Sequence, residues 1–206
     1  MPIIDFILHI DEHLSRIIEL YGSLTYLILF IIIFAETGFV ITPFLPGDSL
    51  LFIAGAFAAK GSLSISWLLI LLIFAAILGD TVNYFTGHYL GEKAYKSRFL
   101  KKEHLEKTEY FFKKYGKKTI IIARFVPIVR TLAPFVAGVG RMQYATFVTF
   151  NICGGILWVT LFLLTGYFFG NVPAVEENFT LVIFLIIFLS ILPPVYEYAK
   201  NTRKGK

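Results

Sequence analysis

ARFVPIVRTLAPFVAGVG, residues Ala123–Gly140, decides how this chain is read. The stretch is apolar enough for a membrane interior, yet it carries Arg124 and Arg130 and is interrupted by Pro127 and Pro134. An arginine at bilayer depth costs from roughly 3 to well over 10 kcal/mol, so it persists where it meets a water-filled cavity, a carboxylate or an anionic ligand. Each proline removes a backbone donor and works against a continuous helix. Non-helical backbone at membrane depth survives only inside protein or along a cavity. The stretch therefore reads as a polar, irregular binding site set into a greasy segment.

The rest of the composition agrees. Of 206 residues, 57% are hydrophobic and 16% charged, with a mean hydropathy of +0.73, which is too apolar for a soluble domain of this length. The expectation is an all-α polytopic membrane protein forming a single membrane domain over residues 1–206. The lone cysteine, Cys153, excludes an internal disulfide. The net charge of +5 is carried by residues flanking apolar spans, so it reports membrane topology rather than nucleic-acid binding. The first residues do not read as a signal peptide, because Asp5, Asp11 and Glu12 stand where basic residues would be expected.

Working outward, residues 2–21 space Ile3, Ile7, Ile10, Leu14, Ile17 and Ile18 near the helical period, which predicts an amphipathic helix at the interface or against the bundle. His9 and His13 share a face but lack a third ligand, so they read as polar surface and no metal is expected. Residues 23–42 are long enough for a span, interrupted by Glu36. Residues 43–60 hold Pro43, Pro46, Gly47 and Asp48 and are too short and broken to cross and return, which suits a re-entrant hairpin. Residues 65–90 form a span whose second half turns polar at Asp80, Asn83, Tyr84, Thr86 and His88. Residues 92–118 are rich in lysine and read as cytoplasmic. Residues 119–141 then form a second hairpin and 144–170 a second span. Glu176 and Glu177 mark the outside, 179–199 returns as a C-terminal transmembrane helix, and the basic tail puts both termini in the cytoplasm.

A repeat is visible within this order. The segment from Pro43, ending in Ile53-Ala54-Gly55-Ala56, parallels the segment from Pro127, ending in Val136-Ala137-Gly138-Val139, and each precedes a long span. The flanking charges orient the two spans oppositely. The prediction is two inverted repeats, 22–90 and 119–170, each a re-entrant broken-helix hairpin followed by a transmembrane helix. Paired broken segments in inverted halves point to a transport site near the bilayer midplane.

Four ionisable groups fall in the broken segments: Glu36, Asp48, Arg124 and Arg130. Guanidinium stays charged and matches phosphate with two parallel hydrogen bonds. Carboxylates in a partly desolvated site can take up and release protons near neutrality. Arg124 and Arg130 are thus candidate phosphate ligands, and Glu36 and Asp48 candidate proton carriers and charge partners of the arginines. Pro43, Pro46, Gly47, Pro127 and Pro134 are the candidate residues shaping the hairpins.

The motifs E-T-G-x-x-x-x-P-F-L-P-G-D (Glu36 to Asp48), G-D-x-x-x-Y-x-x-G-x-x-x-G (Gly79 to Gly91), R-F-x-P-x-x-R (Arg124 to Arg130), A-G-x-x-x-M (Ala137 to Met142) and F-x-x-x-N-x-x-G-x-x-x-W (Phe147 to Trp158) occur in order. Over residues 30 to 170 the chain resembles the DedA family, also called the SNARE-associated or VTT-domain family. The resemblance implies a bacterial inner-membrane protein that moves lipids, notably undecaprenyl phosphate, with the proton motive force involved. Some relatives are linked to phosphatidylethanolamine or other phospholipids. It also implies that Glu36, Asp48, Arg124 and Arg130 are required for function.

The combined expectation is a proton-coupled carrier of a phosphate-bearing lipid, without cofactor. Its partners are the lipid phosphate and the surrounding membrane lipids, not nucleic acid, and the sequence leaves homo-oligomerisation open. Two rivals stand beside it. A membrane-embedded lipid phosphatase or phosphotransferase would need a nucleophile or metal cluster beside the arginines, and the broken segments show no such arrangement. A lipid-organising scaffold would use the charges only for pairing.

Overall fold

The computed structural model describes residues 10–39, 47–90, 102–170 and 172–173, and the regular elements among them are all helical. The expected first part of the amphipathic helix with His9, the prolines Pro43 and Pro46, the first part of the basic block, the acidic segment at Glu176 and Glu177, the expected 179–199 span and the basic tail lie outside the described residues.

α1, Ile10–Tyr21, buries Leu14, packs Ile18 beside it and turns Arg16 and Glu19 outward, as its amphipathic pattern requires. Gly22, at φ +50°, closes it through a backbone bond to the Ile18 carbonyl. α2, Leu24–Gly38, places Leu29, Ile33, Glu36 and Thr37 on one buried stripe, while Leu27 and Ile31 face outward. α3, Gly47–Ala59, is apolar around most of its circumference and is enclosed along most of its length.

α4, Ile65–Leu90, and α8, Tyr144–Phe169, are the two described helices long and apolar enough to cross a membrane. Each has 26 residues. That length corresponds to about 39 Å, against a hydrocarbon core of roughly 30 Å. Their outer faces carry Trp67, Ile70 and Phe74 on α4 and Ile156, Leu161 and Phe168 on α8, all largely exposed. Apolar outer faces of this extent fit a lipid surround. The described part of the basic block forms α5, Lys102–Tyr115, followed by one 3₁₀ turn at Gly116–Lys118. α6, Thr119–Ala123, and α7, Pro127–Val139, complete the described set.

One expectation is corrected here. Pro134 does not interrupt the chain, because α7 runs through it without a break. The ring removes a single donor, that to the Arg130 carbonyl, and the close packing of α7 on α4 keeps the helix whole. The interruption falls instead at Arg124–Val126. Val126 is extended, and Pro127 takes the first helical position, where its missing N–H is no loss.

The two halves of the chain are packed crosswise. α3 lies along α8 and α7 along α4, whereas α2 packs on α4 and α6 on α8. Both crossings are made by glycine pairs. A Cβ at Gly55 would strike the Leu163 carbonyl and one at Gly166 the Phe52 carbonyl. Likewise a Cβ at Gly138 would strike the Tyr84 carbonyl and one at Gly87 the Phe135 carbonyl. In all four helices the glycine sits three residues after the carbonyl that its partner glycine approaches. Backbones meeting through small residues are how helices associate in lipid, where burial of apolar surface gives little drive.

Candidate functional site

The break before Pro127 brings Arg130 into the first turn of α7, where its N–H bonds the Val126 carbonyl at 2.8 Å. The side chain reaches two acidic residues on two other helices. Arg130 Nη2 donates to Glu36 Oε1 in the last turn of α2, and Nη1 donates to Asp48 Oδ1 in the first turn of α3, both at 2.6 Å. A carboxylate at a helix N-terminus also faces the positive end of the helix dipole. The Gly47 N–H donates to Glu36 Oε1 at 3.3 Å, and a Cβ at Gly47 would overlap that carboxylate. Gly47 is thus small because Glu36 lies against it.

Arg124 lies 2% exposed in the turn between α6 and α7. The expected pairing of this residue with Glu36 or Asp48 is not what forms. Its Nη2 pairs instead with Asp80 Oδ2 on α4 and donates to Asn151 Oδ1 on α8 at 2.6 Å. Asn151 is held in register by its own Nδ2, which donates to the Ile77 carbonyl at 3.1 Å. The reason is positional: Arg124 opens the break and is held by the two long helices, whereas Arg130 follows it and points to the ends of α2 and α3.

Trp158 joins the two ion-pair groups. Its Nε1 donates to Asp48 Oδ1 at 2.9 Å. The Arg130 guanidinium carbon is 5.1 Å from its ring centroid and that of Arg124 is 5.8 Å. An indole face attracts a guanidinium, more strongly where water is excluded. Asn83 on α4 braces the same region, donating from Nδ2 to the carbonyls of Thr37 on α2 (3.2 Å) and Thr131 on α7 (2.7 Å).

The four predicted charged residues therefore gather at one centre, three as a direct ion-pair triad and Arg124 beside them across Trp158. Asp80, Asn151, Trp158 and Asn83 complete the centre without having been expected from the sequence. A signal for Asp80 is present there, since an acidic residue inside an apolar span is a functional candidate by default. It is masked because Asp80 lies in an unbroken helix rather than in a broken segment. Burying so many charges is costly and is compensated by pairing and hydrogen bonding. Several polar atoms among the described residues still lack a hydrogen-bond partner: Arg124 Nε and Nη1, Arg130 Nε, Glu36 Oε2 and Asp80 Oδ1.

This fold and centre define a helical membrane protein with a buried, charge-paired site made by both halves of the chain. The chain belongs to the VTT-domain family, the DedA family of membrane proteins: the VTT domain matches residues 45–168. It is 52% identical over 206 residues to Protein DedA of Escherichia coli, covering 98% of this chain and 94% of that protein. It is 44% identical over 188 residues to an uncharacterized membrane protein of Mycobacterium tuberculosis, covering 89% and 82%. It is also 37% identical over 156 residues to the inner membrane protein YqjA of Escherichia coli, covering 73% and 70%. No solved structure matches it significantly.

Proposed function

We propose that this protein carries a phosphate-bearing lipid across the bacterial cytoplasmic membrane, with undecaprenyl phosphate the favoured cargo and the proton motive force the driving input. A phospholipid such as phosphatidylethanolamine is the alternative cargo. The observation that carries the reading is the buried meeting of two guanidinium groups at one indole, with carboxylates already seated where a phosphate would bind. A phosphate headgroup entering this centre competes with Glu36 and Asp48 for Arg130. A displaced carboxylate then takes a proton, which couples lipid movement to proton movement. The phosphate passes through unchanged, without a covalent step, metal or cofactor.

The reciprocal glycine crossings support the reading of two oppositely oriented repeats. The sequence predicts a span at 23–42 and the first hairpin at 43–60, but α2 stops at Gly38. In the present reading α2–α3 together with α6–α7 are therefore the re-entrant hairpins that close the centre from opposite leaflets. The 15 residues of α2 and 13 of α3 and α7 are short for a full crossing. The inner-membrane name of one relative supports the location. The lysines of α5 and the 3₁₀ turn, with the basic residues after Lys200, support cytoplasmic termini.

The test is flux of a lipid monophosphate into proteoliposomes under an imposed pH gradient. Wild-type protein is expected to accelerate transfer between leaflets, and a double Arg124→Ala, Arg130→Ala protein to give the lipid-only rate. Equal rates for the two proteins would overturn the reading.

A further inference from the structure

The two arginines are held in different ways. Arg130 gives both terminal nitrogens to carboxylates, leaving only Nε unpartnered. Arg124 is held through Nη2 alone, by Asp80 and Asn151, while its Nε and Nη1 have no acceptor among the described residues. Arg124 is nonetheless among the most deeply buried side chains of the protein. Unsatisfied donors on a buried cation are costly, more so than on a neutral group, unless something accepts from them.

The surroundings of Arg124 are built for it. Asn151, Gly154, Gly155 and Trp158 lie on one face of α8 at helical spacing. Asn151 accepts from Nη2, and the Trp158 ring lies beside the guanidinium. A Cβ at Gly154 would come within 3.1 Å of Arg124 Cδ and Nε, and one at Gly155 within 3.6 Å of Nη2. The glycines thus leave a bed for the arginine stem, and Asp80 fixes its Nη2 corner from α4.

We infer that Arg124 is the standing seat for a phosphate monoester, with Asp80 and Asn151 as its positioning residues, whereas Arg130 is a second ligand freed only when Glu36 and Asp48 let go. This rests on the phosphate-carrier reading and divides its labour. Asp80 holds one nitrogen of Arg124 and leaves the others to the anion. It therefore acts in the opposite sense from Glu36 and Asp48, which occupy Arg130 and compete with the anion.

That difference gives a test of opposite signs. The chain has two tryptophans, and replacing the exposed Trp67 with Phe leaves Trp158, beside both arginines, as the fluorescent reporter. The purified Trp67→Phe protein in nanodiscs is titrated with farnesyl monophosphate and, separately, with inorganic phosphate. Asp80→Asn is expected to weaken binding about tenfold through loss of a charge-assisted hydrogen bond. Glu36→Gln with Asp48→Asn is expected to tighten it about threefold by removing competitors. Simple removal of negative charge would tighten both, so unchanged or tighter binding in Asp80→Asn overturns the seat.

If Asp80→Asn does not give folded protein, Asn151→Ala carries the test. It keeps the ion pair and is expected to weaken binding about fivefold, and unchanged affinity overturns the proposal. Response to farnesyl phosphate at concentrations where inorganic phosphate is silent identifies a lipid headgroup as the ligand. Equal response identifies free phosphate, and in either case the seat is supported by a response that weakens in Asp80→Asn or Asn151→Ala. Silence of the wild-type centre toward both probes overturns the carrier reading as well. Binding that is present in wild type and undiminished in Asp80→Asn and Asn151→Ala overturns the seat alone.

Discussion

Trp158 on α8 donates its indole N–H to Asp48 on α3, at the same Oδ1 atom that accepts from Arg130. One oxygen of the first half thus holds an indole and a guanidinium that both belong to the second half. The indole both stacks near the cations and fixes the acid that neutralises one of them. Trp158→Phe keeps the aromatic ring and removes the donor. The expected result is a folded protein with lipid flux reduced several-fold, whereas Trp158→Ala should destabilise by about 3–5 kcal/mol. Thermal unfolding in detergent, alongside flux in proteoliposomes, separates the two.

Arg130 serves Glu36 and Asp48 with two different nitrogens. Lysine keeps the charge but not the planar fork. Arg130→Lys is expected to lower flux at least about tenfold while protein yield stays near wild type. A wild-type rate in reconstituted vesicles would remove Arg130 from the binding role.

Gly47 lies against the Glu36 carboxylate, with its N–H bonded to Oε1. Gly47→Ala forces that carboxylate aside and should impair flux more than Gly61→Ala. Gly61 has a left-handed backbone, but a Cβ there would meet nothing within 4 Å. Gly61→Ala should show a modest loss of thermal stability from strain of about 1 kcal/mol, with flux retained. Comparing melting and flux for the pair checks this.

Asn83 bridges Thr37 and Thr131 through one amide nitrogen. Asn83→Ala leaves two buried carbonyls without that donor, a loss of about 1–3 kcal/mol. Amide hydrogen exchange is expected to rise at the end of α2 and the start of α7 and to stay unchanged at the centre of α8. Exchange that rises uniformly would contradict the bracing role.

Much of this was legible from the chain itself. The long apolar runs at 65–90 and 144–170 are helices at nearly those bounds, because length and hydropathy alone set them. The charged residues of the broken segments stood out because charge is costly among apolar neighbours. The identity of each ion pair was not legible. Asp80 and Arg124 lie 44 residues apart, and Asp48 and Trp158 lie 110 apart. No local pattern chooses between Glu36, Asp48 and Asp80 as the partner of Arg124. Pro134 misled for a related reason: packing against a neighbouring helix overrode a local breaker.

The glycine crossings have a consequence for the integrity of the chain. The groove that receives α3 belongs to α8, and the groove that receives α7 belongs to α4. A polypeptide severed between α4 and α5 would yield two pieces, each missing the surface on which its own inner helix rests. Neither piece is self-sufficient, and only reunion of both in one bilayer would restore the molecule.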